Sequence, residues 1–170
     1  MPDQEQQQNP AVVAIGRIET GLTPLGAYRD TIGPATAAVA LTSKFRWRWM
    51  ATLLHTFIYA AWFHPGTPVE TLDQYLAAAC QYAIDKKGAL RGMQVGVAAV
   101  TVAIVDNATA EQVEWAAHPH GRRFAAIAFP VLVDATARRV IRPERMVLGA
   151  IYTGYLQELV RTYVETPIST

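Results

Sequence analysis

The sequence predicts an α+β domain, with a mixed α/β arrangement as its variant, in which a single layer of mixed sheet of about four to five strands packs against helices. Three observations predict it. The run Met93–Val105, MQVGVAAVTVAIV, has apolar or small residues on both alternating faces, as a strand covered from both sides does. Thr67, Pro68 and Glu70 supply an N-cap threonine, a proline at the first helical position and a capping-box glutamate, for a helix closing at Gly88 after Lys86 and Lys87. Near the C-terminus, Leu148, Ile151, Tyr152, Tyr155, Leu156, Leu159 and Tyr163 recur three and four apart, the stripe of a helix lying on a sheet.

Taken in order, MPDQEQQQNP (1–10) is polar and reads as a flexible tail ahead of one globular domain over 11–170. AVVAIGRI (11–18) is β-branched and reads as a first strand. The glycines and prolines of 21–35 read as a long loop. In 36–49 the alternation of KFRWRW favours a strand with Phe45, Trp47 and Trp49 on one face, expected to be core, and Lys44, Arg46 and Arg48 on the other. The apolar segment from Met50 to Phe63 reads as a buried helix stopped by His64-Pro65-Gly66. Beyond the central strand, Thr109 and Gln112 cap a short helix to about Ala117, and 124–133 form a strand that Pro130 confines to an edge or a bulge. The 17 residues between those two strands can hold a crossover, so the strands are expected to be parallel. DATAR turns the chain into a short RVI strand, and Pro143-Glu144 is read as the start of the last helix.

Composition narrows the function. Fifteen Lys and Arg against fourteen Asp and Glu leave a net charge of +1, so no global field draws in nucleic acid or an anionic membrane. The lone Cys80 excludes an intrachain disulfide framework and fits a reducing cytoplasm. Trp49–Phe63 is too short to span a bilayer, and no membrane insertion is expected. The only serines, Ser43 and Ser169, stand in no Gly-x-Ser-x-Gly elbow, and neither a dinucleotide fingerprint nor a Walker loop is present, so no cofactor is expected.

Two stretches invite a site. His118-Pro119-His120 offers a pair of imidazoles, though Pro119 and Gly121 also suit a plain turn, and four dispersed histidines give no metal set. Between Arg122 and Arg145, six arginines against Asp134 and Glu144 give a local charge of +4. Arg142 and Arg145 flank the expected helix start, where an anion would be welcome. Asp106 and Asp134 end successive strands and converge if those strands are neighbours.

The expected function is an intracellular, non-catalytic interaction or assembly module, a homo-oligomer or a subunit of a larger complex, whose partner is itself or another protein. Apolar residues at 51% and charged residues at 17% support a retained apolar face. The alternative is a small-molecule or anion-binding domain, enzymatic in one version, built from His118, His120, Arg122, Arg138, Arg142, Arg145 and Asp134. Nucleic-acid binding through local basic patches comes last, because it works against the neutral total.

Overall fold

The structure, a computed structural model, describes residues 9–87, 95–120, 122–123, 125–146 and 150–170. Gly88, Met93 and Leu148, and residues 1–8 of the expected tail, lie outside the described residues. Helix α1 (Pro10–Leu22) is followed by β1 (Tyr28–Ile32), β2 (Ala35–Arg46) and β3 (Thr52–Trp62). Then come α2 (Val69–Lys87), β4 (Val95–Val105), α3 (Ala110–Ala117), β5 (Arg122–Arg123), β6 (Ala126–Asp134) and β7 (Arg139–Ile141). The chain closes with α4 (Thr153–Val160), which runs through a π-helical turn at Arg161–Glu165 into α5 (Thr166–Ser169).

The strands form one mixed sheet in the order β1-β2-β3-β4-β6, with the short β5 and β7 both pairing β6. β2 is antiparallel to β1 and β3, whereas β3, β4 and β6 are parallel to one another. The central position of β4 and its parallel pairing with the next strand are as expected. Pro130 falls in the stretch of β6 between Ala126 and Ile127, which pair with β5, and Leu132–Asp134, which pair with β7. A residue without an N–H is tolerated where no outer ladder continues.

The sheet divides the core in two. On one face Ala11, Ala14, Ile18 and Leu22 of α1, with Leu156, Leu159, Val160 and Ile168 of the C-terminal helix, cover Ala60, Val102, Phe129 and Val131. On the other, Leu72, Tyr75, Leu76, Ala79, Cys80 and Ala83 of α2, with Trp115 of α3, cover Tyr59, Ala61, Ala103 and Leu132. The core positions of α1 recur at intervals of three and four residues, which is why it is a helix and not the expected strand. Asn9 accepts from the Ala11 and Val12 N–H groups and Pro10 stands at the first turn, so the start signal lies just ahead of the apolar run.

Four other expectations are corrected. The expected buried helix at 50–63 is β3: with both faces covered, its apolar run is continuous, and periodicity cannot separate such a run from a buried helix. The expected loop at 21–35 contains β1, whose turn into β2 uses Gly33 at φ 55°, with α2 so close that a Cβ there would stand 2.8 Å from the Ala78 Cβ. Pro143 and Glu144 do not start the last helix: 142–146 are non-helical, and the final α-helical stretch begins at Thr153. Of the three aromatics expected in the core, only Trp49 is buried.

No helix among the described residues is long and apolar enough to cross a membrane.

Candidate functional site

The sequence-derived candidates do not share one site. Asp106 and Asp134 do end adjacent strands, but each carboxylate is occupied, Asp134 by backbone N–H groups and Asp106 by one backbone N–H and a side-chain amide. Asp106 accepts from Ala11 N–H at 2.9 Å and from the Asn9 amide at 2.8 Å, holding the start of α1 against the end of β4. Asp134 accepts from Ala108 at 3.2 Å and Ala137 at 3.0 Å, with Arg139 4.0 Å away. Buried carboxylates satisfied in this way fix loops.

His118 is exposed at the C-cap of α3, while His120 is largely enclosed, with Nε2 2.8 Å from the Trp115 carbonyl and Nδ1 3.8 Å from Asp73. A carbonyl only accepts, so Nε2 carries a proton in that contact. Pro119 joins Arg142, Arg145, Gln157 and Glu165 around a surface groove of about 700 Å³. The anion that Arg142 would attract is already supplied, because Glu165 pairs with it. Burial lowers the Arg142 pKa, with Arg161 adding to the effect. Arg122 lies in β5 with its side chain outside what the structure describes, and Arg138 stands on the β6–β7 turn, beside a different cavity. Among the described residues no group of three or more His, Cys, Asp or Glu side chains is arranged to hold a metal ion.

The most distinctive surface lies at the far end of β2. β1 pairs only with Ala35–Val39, and no described strand flanks Leu41–Arg46 on the outer side. This leaves an open sheet edge of backbone donors and acceptors. Along it the side chains sort by strand period: Leu41, Ser43 and Phe45 share the α2 side with Val39, while Thr42, Lys44 and Arg46 share the α1 side with Ala40. Leu41 is 44% exposed, Phe45 41%, Trp47 80% and Met50 78%, and all four lie on this edge or the turn beyond it.

The edge is firmly mounted. Trp49, buried at its base, donates from Nε1 to the Ile151 carbonyl at 3.1 Å and packs on Tyr152 and Tyr155. Arg46 lies over the Trp49 ring and Lys44 over the Tyr155 ring, so both cations are fixed on the α1 side. The turn into β3 places Met50 (φ 54°) and Ala51 (φ 57°) in the left-handed region, where Gly, Asn or Asp is usual. Backbone held this way by its surroundings concentrates at functional sites.

Ser43 and His55, direct partners in the β2–β3 register, are joined by a 2.6 Å contact between Oγ and Nδ1. Sequence reasoning missed this pair, since only the strand register brings together residues twelve apart. Among the described residues the buried Nε2 of His55 has no hydrogen-bond partner of the kind that orients a catalytic base. Burial, with a smaller effect from Lys87, lowers the His55 pKa. A depressed folded-state pKa gives stability that is present above the unfolded value, about 6.5, and lost as the pH falls through it. Melts at about pH 7.5 and 5.5 are therefore expected to show an acid-side loss that shrinks in His55→Gln; an unchanged loss in that variant would assign it to other groups.

No protein-family model, curated protein or solved structure gives a significant match to the chain.

Proposed function

We propose that this domain is a non-catalytic assembly module, a subunit of a larger complex that receives an extended segment of a partner protein on the outer edge of β2. The observation that carries this reading is the unpaired edge Leu41–Arg46 with Leu41, Phe45 and Trp47 exposed along it. Strand addition gives affinity through main-chain hydrogen bonds, and alternate side chains give specificity. The complementary segment alternates apolar residues, facing Leu41 and Phe45, with acidic residues opposite Lys44 and Arg46.

A different protein suits the edge better than a second copy does. An isologous pairing would bring Lys44 and Arg46 of both copies onto one face of the joined sheet, where like charges repel. Cations on an edge are also a standard means of discouraging self-pairing.

Panning a random peptide library on the folded domain tests the proposal. Enriched peptides are expected to alternate acidic and large apolar residues, and binding is expected to fall about tenfold or more in Trp47→Ser and in Lys44→Glu/Arg46→Glu. Enrichment that ignores these substitutions would overturn the edge as the site. Sedimentation as a dimer that Trp47→Ser dissociates would make the occupant a second copy, and binding to anionic vesicles in place of peptides would make it a lipid surface.

A further inference from the structure

A cavity of about 220 Å³ opens between the first half of α1, the end of β6 with its turn, and the C-terminal helix, lined by Pro10, Val13, Ala14, Val133, Ala135 and Ile168 together with Arg17 and Arg138. We infer that it binds a small organic carboxylate, its apolar body on the Val13, Ala14, Val133 and Ile168 floor and its anionic group between Arg17 and Arg138. This site is separate from the β2 edge, and the inference does not rest on the reading of that edge.

Three features point this way. First, Arg17 and Arg138 border one cavity, and neither has a carboxylate partner among the described residues, whereas Arg29, Arg139 and Arg142 each have one. Two like charges bordering one cavity repel each other, and a shared anion relieves that repulsion. Second, the buried carboxylates at this end of the sheet, Asp106 and Asp134, are held by backbone N–H groups and the Asn9 side-chain amide and do not supply that anion.

Third, Arg138 sits at φ 50° on the β6–β7 turn, a left-handed position where Gly or Asn is the unstrained choice. Asp134 already secures the turn by accepting from Ala137, so the fold does not require an arginine at that strained place. What the arginine adds is a second cation bordering the cavity that Arg17 borders. The size and lining choose between anions. An apolar cavity of about 150 Å³ takes benzene, so this one accommodates a ring or short aliphatic chain bearing a carboxylate, and its apolar floor has nothing to offer inorganic phosphate.

Benzoate is the probe, with benzamide and inorganic phosphate as the neutral and the purely anionic controls, each titrated against the full chain by thermal melting and calorimetry. At about ten times its Kd, benzoate is expected to raise the melting temperature by about 3–5 °C. Benzamide and phosphate are expected to bind at least about tenfold more weakly. Arg17→Gln and Arg138→Gly are each expected to weaken benzoate binding by about tenfold or more, and Arg138→Gly, relieved of its strain, to melt no lower than the parent without ligand. That second variant separates loss of binding from loss of folding. No benzoate binding at about 10 mM, an equal response to benzamide, or an equal response in both variants would overturn the site, and phosphate matching benzoate would overturn the carboxylate assignment.

Discussion

Val102→Asp is expected to lower the urea midpoint of unfolding more than any other substitution considered. Val102 is fully buried in β4, with Ala60 of β3 and Val131 of β6 as register neighbours, and it faces the cluster built by α1 and the C-terminal helix. No described side chain of that cluster is a cation, so the substitution buries either a charge without a counter-ion or a protonated acid in an apolar layer. The cost is at least about 4 kcal/mol, a large part of the stability of an ordinary domain. Val102→Ala, which removes volume alone, is expected to cost about 2 kcal/mol. Urea unfolding followed by circular dichroism checks both, and an Asp variant that unfolds with the parent's midpoint would mean that β4 is not the middle of the sheet.

Asp106→Ala is expected to produce the second largest loss, about 3 kcal/mol. One carboxylate holds the Ala11 N–H and the Asn9 amide together, at a helix start where negative charge is favoured. Hydrogen bonds to a charged group contribute more than neutral ones, and removing this acceptor leaves the Ala11 N–H with the Asn9 side chain alone. The loss is expected to be uneven. Amide exchange should accelerate in α1 before it does in β4, because α1 is tied to the end of the sheet through this residue. Uniform acceleration would show that Asp106 does not tether the helix. Asp106→Asn, which keeps an acceptor without the charge, is expected to fall between the two.

How much of this was legible in the sequence depended on where each signal sits. The capping pair Thr109 and Gln112 is local chemistry, and both of its hydrogen bonds are present. β4 was readable because a strand covered on both faces has an unbroken apolar pattern, yet the same pattern at Thr52–Trp62 was read as a helix, since periodicity alone does not separate the two. For α1, β-branched residues suggested a strand, while Asn9 and Pro10, with Asp106 brought from 97 residues away, settle the helix. The candidate sites were less readable still. Residues that chemistry singled out in one stretch, Arg138, Arg142 and Arg145, border two different cavities, and the partners that decide their roles, Arg17 and Glu165, come from α1 and the C-terminal helix. Trp47 was legible as an aromatic but not as an exposed one, because exposure depended on β1 pairing no further along β2 than Val39.

That short first strand has a consequence for the protein in solution. Beyond Val39, β2 offers the same unfilled backbone to every extended chain it meets, including unfolded copies of itself, and Leu41 and Phe45 supply apolar side chains that would reward such a contact. Lys44 and Arg46 are the barrier, and a barrier made of charge is only as strong as its range: about 8 Å at physiological ionic strength and about 3 Å at molar salt. Colloidal stability and recognition therefore reside in the same short stretch of backbone, and a molecule kept concentrated in high salt loses the protection of its cations while its exposed edge stays open.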